Sequence, residues 1–175
     1  MDTSFYKNGL RFECQRCSRC CRIDPGYVFL TEADLVALLL ATGFPRDRFL
    51  EEYCRWVPVN GYLYLSLKEK PNYDCIFWEG GGCSVYIHRP IQCKSYPFWE
   101  TFLLSIEQWE ALKATCPGVG IGTLHSPQEI QEWIQLRKKS PYIRISNGKG
   151  EEGEGEILGS ERIDSHSPNP ECGKE

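Results

Sequence analysis

The chain has 175 residues and a formal net charge of −4, enough for one domain with a modest core and too acidic overall for a nucleic-acid surface, which needs clustered positive charge. Its longest apolar run, Leu35 to Ala41, is far too short to span a bilayer, and no apolar leader with a small-residue cleavage site opens the sequence. The expected setting is therefore a reducing cytoplasm, without membrane or nucleic-acid partners, where the ten cysteines read as metal ligands before disulfides.

In chain order, Leu10-Arg11-Phe12-Glu13 alternates apolar and polar and predicts a short extended piece leading into a cysteine-rich loop. Past that loop, Tyr27-Val28-Phe29-Leu30 reads as a strand. Thr31 to Asp34 has the pattern of a capping box with Asp in place of Glu. The helix it starts is stopped by Gly43, and apolar residues around most of its circumference predict a largely buried helix. A second short helix is expected from Pro45 to about Cys54. Asn60-Gly61 between alternating apolar segments is a two-residue hairpin signal, and Pro58 puts its strand at a sheet edge.

The stretch Cys75 to Tyr86 predicts a second hairpin turning through Gly80-Gly81-Gly82, with Cys75 and Cys83 at the outer ends of facing strands. Arg89-Pro90 opens a short helical turn. Ser105 and Gln108 are spaced as a capping box, and Ser126-Pro127-Gln128-Glu129 is a stronger helix start, with Pro at the first helical position. From about Gly148 the composition turns charged and rich in Gly, Pro and Ser. The expected fold is a small α+β domain over residues 1–147, with short β-hairpins and several short helices organised around cysteine metal sites. A disordered acidic tail is expected over 148–175.

Cys14, Cys17, Cys20 and Cys21 fall within eight residues. A Cys-x2-Cys-x2-Cys run places three thiolates around one tight loop with backbone N–H groups facing the sulfurs. Iron–sulfur loops of the ferredoxin type use this run with a remote Cys-Pro as fourth ligand, offered here by Cys116-Pro117. Zinc also accepts Cys-x2-Cys pairs in four-sulfur sites. Vicinal side chains project in different directions, so Cys21 is expected to face a second site, with Cys75, Cys83 and Cys93 as its other candidates. A helix N-terminus at Arg89-Pro90 would favour the Cys93 thiolate. The division expected is Cys14, Cys17, Cys20 and Cys116 in one site and Cys21, Cys75, Cys83 and Cys93 in the other. Cys54 reads as a buried structural thiol and Cys172 as an isolated one. His88 and His125 read first as surface or hydrogen-bonded residues, and Arg89 as a partner of loop carbonyls or a counter-charge to thiolates.

These residues carry a family resemblance. CQRCSRCC, Cys75-Ile-Phe, Gly82-Cys83-Ser-Val-Tyr86, Arg89-Pro90-x2-Cys93-Lys, Tyr96-Pro97-Phe98 and Cys116-Pro117-Gly118, in that order, resemble the YkgJ-type CxxCxxCC cysteine-cluster family over about Phe12 to Gly122. The resemblance implies chelation of zinc or iron by the eight matching cysteines, Cys14, Cys17, Cys20, Cys21, Cys75, Cys83, Cys93 and Cys116, without implying a particular reaction. A related cysteine cluster occurs in a flagellin lysine-N-methylase. Lys94 stands where the family often has Arg.

The first functional reading is an iron–sulfur protein holding one or two clusters, of the 4Fe–4S type, with a redox or protein-modification-linked role toward a protein or peptide partner. The second is a zinc protein whose four-cysteine sites fold its loops and present a partner surface. A methyltransferase-type enzyme ranks below both. The glycines from Gly118 to Gly122 follow a cysteine loop with no clear strand before them, and no nucleophile–base pair is visible from spacing.

Overall fold

The structure is a computed structural model that describes residues 4–22 and 25–147; the tail expected to be disordered, 148–175, lies outside the described residues. The Asn60-Gly61 signal is met in full. Both residues take positive φ, 47° and 80°, so two residues return the chain. The strands they join, β2 (Cys54–Val59) and β3 (Tyr62–Leu67), pair in continuous antiparallel register from Cys54↔Leu67 to Val59↔Tyr62. On the other side of β3 lies β7 (Arg144–Ser146), a strand the sequence reading did not anticipate. The order β2-β3-β7 leaves Pro58 on an edge, as expected.

The strand expected at Tyr27 to Leu30 forms only in part. Leu30 N–H donates to Leu65 O and Leu67 N–H to Val28 O, and Phe29 bridges Ser66. The Val28 N–H, however, goes to Ser66 Oγ and the Phe29 N–H to Gln92 Oε1. Side-chain acceptors thus take donors that a regular ladder would use.

Helix α1 (Glu32–Thr42) starts at the expected capping box. Thr31 Oγ1 accepts from the Asp34 N–H, and the Asp34 carboxylate accepts from the Thr31 N–H. Gly43, at φ 71°, ends it. The helix is less buried than its composition predicts: Leu35 and Leu38 are buried, whereas Val36 and Leu40 are 52% and 79% exposed. It lies on the outside of a core and has one face covered. Helix α2 (Arg46–Tyr53) then runs directly into β2.

The second half contains the short hairpin β4 (Trp78–Glu79) and β5 (Gly82–Cys83), then α3 (Ile91–Ser95) and α4 (Ile106–Ala111). After these come β6 (Val119–His125) and α5 (Pro127–Lys138), the latter opened by the expected Ser126–Glu129 capping box. Strand β1 (Leu10–Phe12) pairs antiparallel with β6. The glycine-rich stretch after Pro117 is therefore itself largely strand. Among the described residues, no helix is long and apolar enough to cross a membrane.

Two main apolar clusters result. One gathers Leu10, Trp109, Val119 and Ile130 from β1, α4, β6 and α5 with Tyr6 and Phe98 from the segments between, and Cys116 packs against it. The other gathers Leu35, Phe49 and Leu65 from α1, α2 and β3, Leu30 from the segment before α1, and Phe77 and Val85 from either side of the short hairpin, with Cys75 and Cys83 packed against it. The cysteine loop, residues 13–22, is tied to segments that belong to both.

Asp34 joins local and long-range structure. Beyond its cap bonds, its Oδ1 accepts from the Ile91 N–H at 2.8 Å, anchoring the start of α3 and hence Cys93. Its side chain is buried, so removing the carboxylate strands several donors at once. Asp34→Ala should cost about 2–4 kcal/mol in urea denaturation. Glu32→Ala breaks only an exposed ion pair to Arg46 and should cost less than about 1 kcal/mol; equal losses would contradict this role for Asp34.

Candidate metal centre

The loop from Glu13 to Arg22 carries no regular structure until a single 3-10 turn at Arg19–Cys21. Arg16 and Ser18 take positive φ, 50° and 63°, an uncommon conformation for non-glycine residues. With so few internal bonds, the loop depends on its surroundings. Glu13 N–H donates to Gly118 O, Arg19 Nη1 to Ala114 O, and Ser18 Oγ to Gly81 O, while Cys21 O accepts from the Cys75 N–H at 2.7 Å. At the far end, Arg22 pairs with buried Asp74 at 2.9 Å and lies over the Trp78 ring. Each bond leads to a segment bearing another cysteine.

Gly118 shows how close this approach is. A Cβ there would stand 2.3 Å from Glu13 O, closer than non-bonded atoms tolerate. The glycine of Cys116-Pro117-Gly118 is thus required by the backbone of the loop lying against it.

Cys14, Cys17 and Cys20 are exposed, and Cys21, Cys75, Cys83, Cys93 and Cys116 are half-buried. Cys20, Cys21, Cys75 and Cys93 line one cavity of about 60 Å³, together with Tyr96, Gln92 and Trp99. Cys116 has Cys17, Cys20 and the Tyr96 hydroxyl as its electrostatic neighbours, and the neighbouring Cys14 thiol raises the pKa of the Tyr86 hydroxyl. Among the described residues, no group of three or more His, Cys, Asp and Glu side chains closes on a point that could hold a metal ion. The thiols share a neighbourhood without forming a finished cage.

Three sequence expectations change. Cys20 and Cys21 do not diverge: the turn at Arg19–Cys21 brings their sulfurs to 3.8 Å. The hairpin turns through Gly80 and Gly81, pairing Cys83 with Trp78. Cys75 lies before that hairpin, bridged to Glu69 and bonded to the loop. Cys93 does not gain a favoured thiolate from its helix. Burial raises its pKa well above the ordinary range, with the Cys20, Cys75 and Cys83 charges adding to the effect, and a five-residue helix offers little dipole to oppose this.

Burial likewise raises Cys75, to about 11, and Cys83 and Cys116, but in each case a backbone N–H pulls the other way: that of Phe77, Val85 and Gly118 respectively. All three donors stand two residues after the cysteine they serve. Cys20 is lowered to about 7, chiefly by its hydrogen bond with Cys21, whose own pKa is raised in exchange. The Arg89 charge lowers both Cys20 and Cys83. Its guanidinium donates to Tyr86 O and lies 4.0 Å from the Tyr86 ring centroid, with Arg16 at 4.6 Å. Arg89 thus both bonds a loop carbonyl and opposes thiolate charge, the two roles its sequence position suggested.

The remaining candidates fall outside this neighbourhood. His88 is exposed, and His125 Nε2 lies 3.1 Å from Phe12 O and packs on Phe98. Cys54 is buried in the second cluster with its pKa pushed up to about 12. Cys172 lies outside the described residues. Sequence reasoning assigned no role to Tyr86 or Tyr96, although both stand in the quoted motif pieces; side chains that act through a neighbouring thiol leave no spacing signal.

The donor set suits a thiophilic ion. Tetrahedral zinc–sulfur bonds of about 2.3 Å put two sulfurs about 3.8 Å apart, and the Cys20 and Cys21 sulfurs stand at that separation. The N–H groups beside Cys75, Cys83 and Cys116 are of the kind that support bound thiolates.

A protein-family model described as "CxxCxxCC: Putative zinc- or iron-chelating domain" matches residues 13–117. No solved structure matches the chain.

These environments order the thiols by reactivity, because the thiolate is the nucleophile. In metal-stripped full-length protein, the hydrogen-bonded Cys20–Cys21 pair should alkylate at lower pH than an ordinary thiol, because sharing one proton favours ionisation of one partner. Cys54 should remain almost unlabelled until the protein unfolds. Peptide mass spectrometry after brief iodoacetamide treatment reads both, and comparable rates at the two positions would contradict the assignment.

Proposed function

We propose that this chain, which belongs to the CxxCxxCC family, chelates zinc or iron through thiolates drawn from Cys14, Cys17, Cys20, Cys21, Cys75, Cys83, Cys93 and Cys116, and that the metal joins its two apolar clusters. The observation that carries the reading is the Cys20–Cys21 sulfur pair at 3.8 Å, set in one cavity with Cys75 and Cys93. A bound ion supplies positive charge that displaces the thiol protons and fixes the ligands in a tetrahedron. The chain's own residues prepare for this. Backbone N–H groups face Cys75, Cys83 and Cys116, Arg89 sets its charge beside Cys20 and Cys83, and Arg22 with Asp74 holds the end of the loop.

The placement suggests a structural role for the ion. Cys116 packs on the first cluster and Cys75 and Cys83 on the second, while the loop between them has little apolar surface of its own. A metal there contributes folding energy that packing does not supply. Presentation of a surface to a protein or peptide partner in a reducing cytoplasm fits this reading.

A second reading is an iron–sulfur centre with a redox or protein-modification-linked role. It is favoured by the Cys14-x2-Cys17-x2-Cys20 spacing and by the approach of Cys116-Pro117-Gly118 to that loop.

Anaerobic purification followed by metal and acid-labile sulfide analysis separates the two. The first reading expects zinc or iron without sulfide; sulfide with visible absorption would transfer the assignment to the second, and absence of bound metal would overturn both. Under either reading, stripping the metal should lower the melting temperature by on the order of 10 °C and increase amide exchange in residues 13–22. Unchanged melting would contradict the structural role.

A further inference from the structure

Cys20 and Cys21 are adjacent in sequence, and the turn at Arg19–Cys21 brings their sulfurs to 3.8 Å. Successive side chains in extended backbone point apart, so this approach is a product of the fold. Ser18 at φ 63° starts the turn, and the Cys21 N–H closes it on Ser18 O at 2.9 Å. Both ends are then pinned to other segments. Arg19 Nη1 donates to Ala114 O, Cys21 O accepts from the Cys75 N–H at 2.7 Å, and Arg22 pairs with buried Asp74 at 2.9 Å. The two thiols differ in access: Cys20 is exposed and Cys21 is half-buried.

We propose that Cys20 and Cys21 form a dithiol–disulfide couple, oxidised by hydrogen peroxide and restored by a thiol reductant. The exposed Cys20 sulfur attacks one peroxide oxygen and the O–O bond breaks, giving a sulfenic acid and water. The Cys21 sulfur then attacks the Cys20 sulfur, the S–O bond breaks, and the hydroxide leaves as water with the Cys21 proton. Two electrons pass from the pair to the peroxide, which ends as two waters. The sulfurs need only close from 3.8 Å to a bonded length of about 2.0 Å. Adjacent Cα atoms stand about 3.8 Å apart, below the usual disulfide span of about 4.4–6.8 Å. A disulfide between neighbours is therefore strained and readily reduced, as a reversible switch requires. Closing the ring twists the peptide between the two residues, and that peptide carries the N–H that holds the turn to Ser18. The inference goes beyond chelation and stands on the geometry of the turn; the oxidised pair withholds two of the candidate ligands.

Trypsin isolates the couple. Cleavage after Arg19 and Arg22 releases Cys20-Cys21-Arg22 as a tripeptide, with Cys17 on Cys17-Ser18-Arg19 and Cys14 on the peptide that ends at Arg16. Full-length protein, reduced, freed of reductant and held with a chelator, is treated with equimolar hydrogen peroxide, alkylated and digested. The tripeptide should be the main oxidised species, lighter by two hydrogens and carrying no alkyl group. Dithiothreitol before alkylation should return it to the doubly alkylated form. In urea, where the turn is lost, the same treatment should scatter oxidation among cross-linked peptides. A doubly alkylated tripeptide after the peroxide is consumed, a tripeptide cross-linked to another cysteine or converted to sulfinic acid, or an equal yield in urea would overturn the couple. Chelation is decided separately, by the metal and sulfide analysis. The wild-type tripeptide is itself decisive, so the test does not depend on the folding of a variant.

Discussion

A loop that cannot organise itself sets the terms for the rest of this molecule. Residues 13–22 have one short turn and two residues at positive φ, and the loop must spend its backbone groups on other parts of the chain. Its bonds to Gly118, Ala114, Gly81 and Cys75 bind the two apolar clusters to a common centre. The neighbouring elements are built around that need. Gly118 lacks a side chain where the loop backbone passes, Gly81 offers its carbonyl to Ser18 from a tight turn, and Asp34 fixes α3 so that Cys93 meets the same cavity.

The arrangement is electrostatically demanding. Half-buried thiols resist ionisation, and each one that ionises makes the next more costly. The chain answers with oriented dipoles and fixed cations rather than with apolar packing. An N–H two residues on faces Cys75, Cys83 and Cys116; Arg89 and Arg16 lie over Tyr86 beside Cys14. These features offset thiolate charge only in part; on the proposed reading a metal ion would complete the balance. That reading couples stability to metal content, because the candidate ligands come from elements with separate cores.

Much of the local structure was readable from the amino-acid sequence because its causes are local. The capping boxes at Thr31 and Ser126 and the Asn60-Gly61 turn are decided by residues within four positions of each other. The eight cysteines were grouped as candidate ligands from spacing and from motif resemblance, and the matching family model spans all of them. What escaped was long-range. β7 has an exposed three-residue sequence that means nothing until β3 offers an edge. The strand expected at Tyr27 to Leu30 lost donors to Ser66 and Gln92, residues far along the chain. The closeness of Cys20 and Cys21 depends on a turn set by Ser18 at positive φ, and spacing alone argues for the opposite.

The central claim is that thiolates alone surround the metal. X-ray absorption at the edge of whichever metal co-purifies tests it most directly. The account predicts a first shell of four sulfurs at about 2.3 Å and no lighter scatterer. A shell containing nitrogen or oxygen in place of those sulfurs would contradict it.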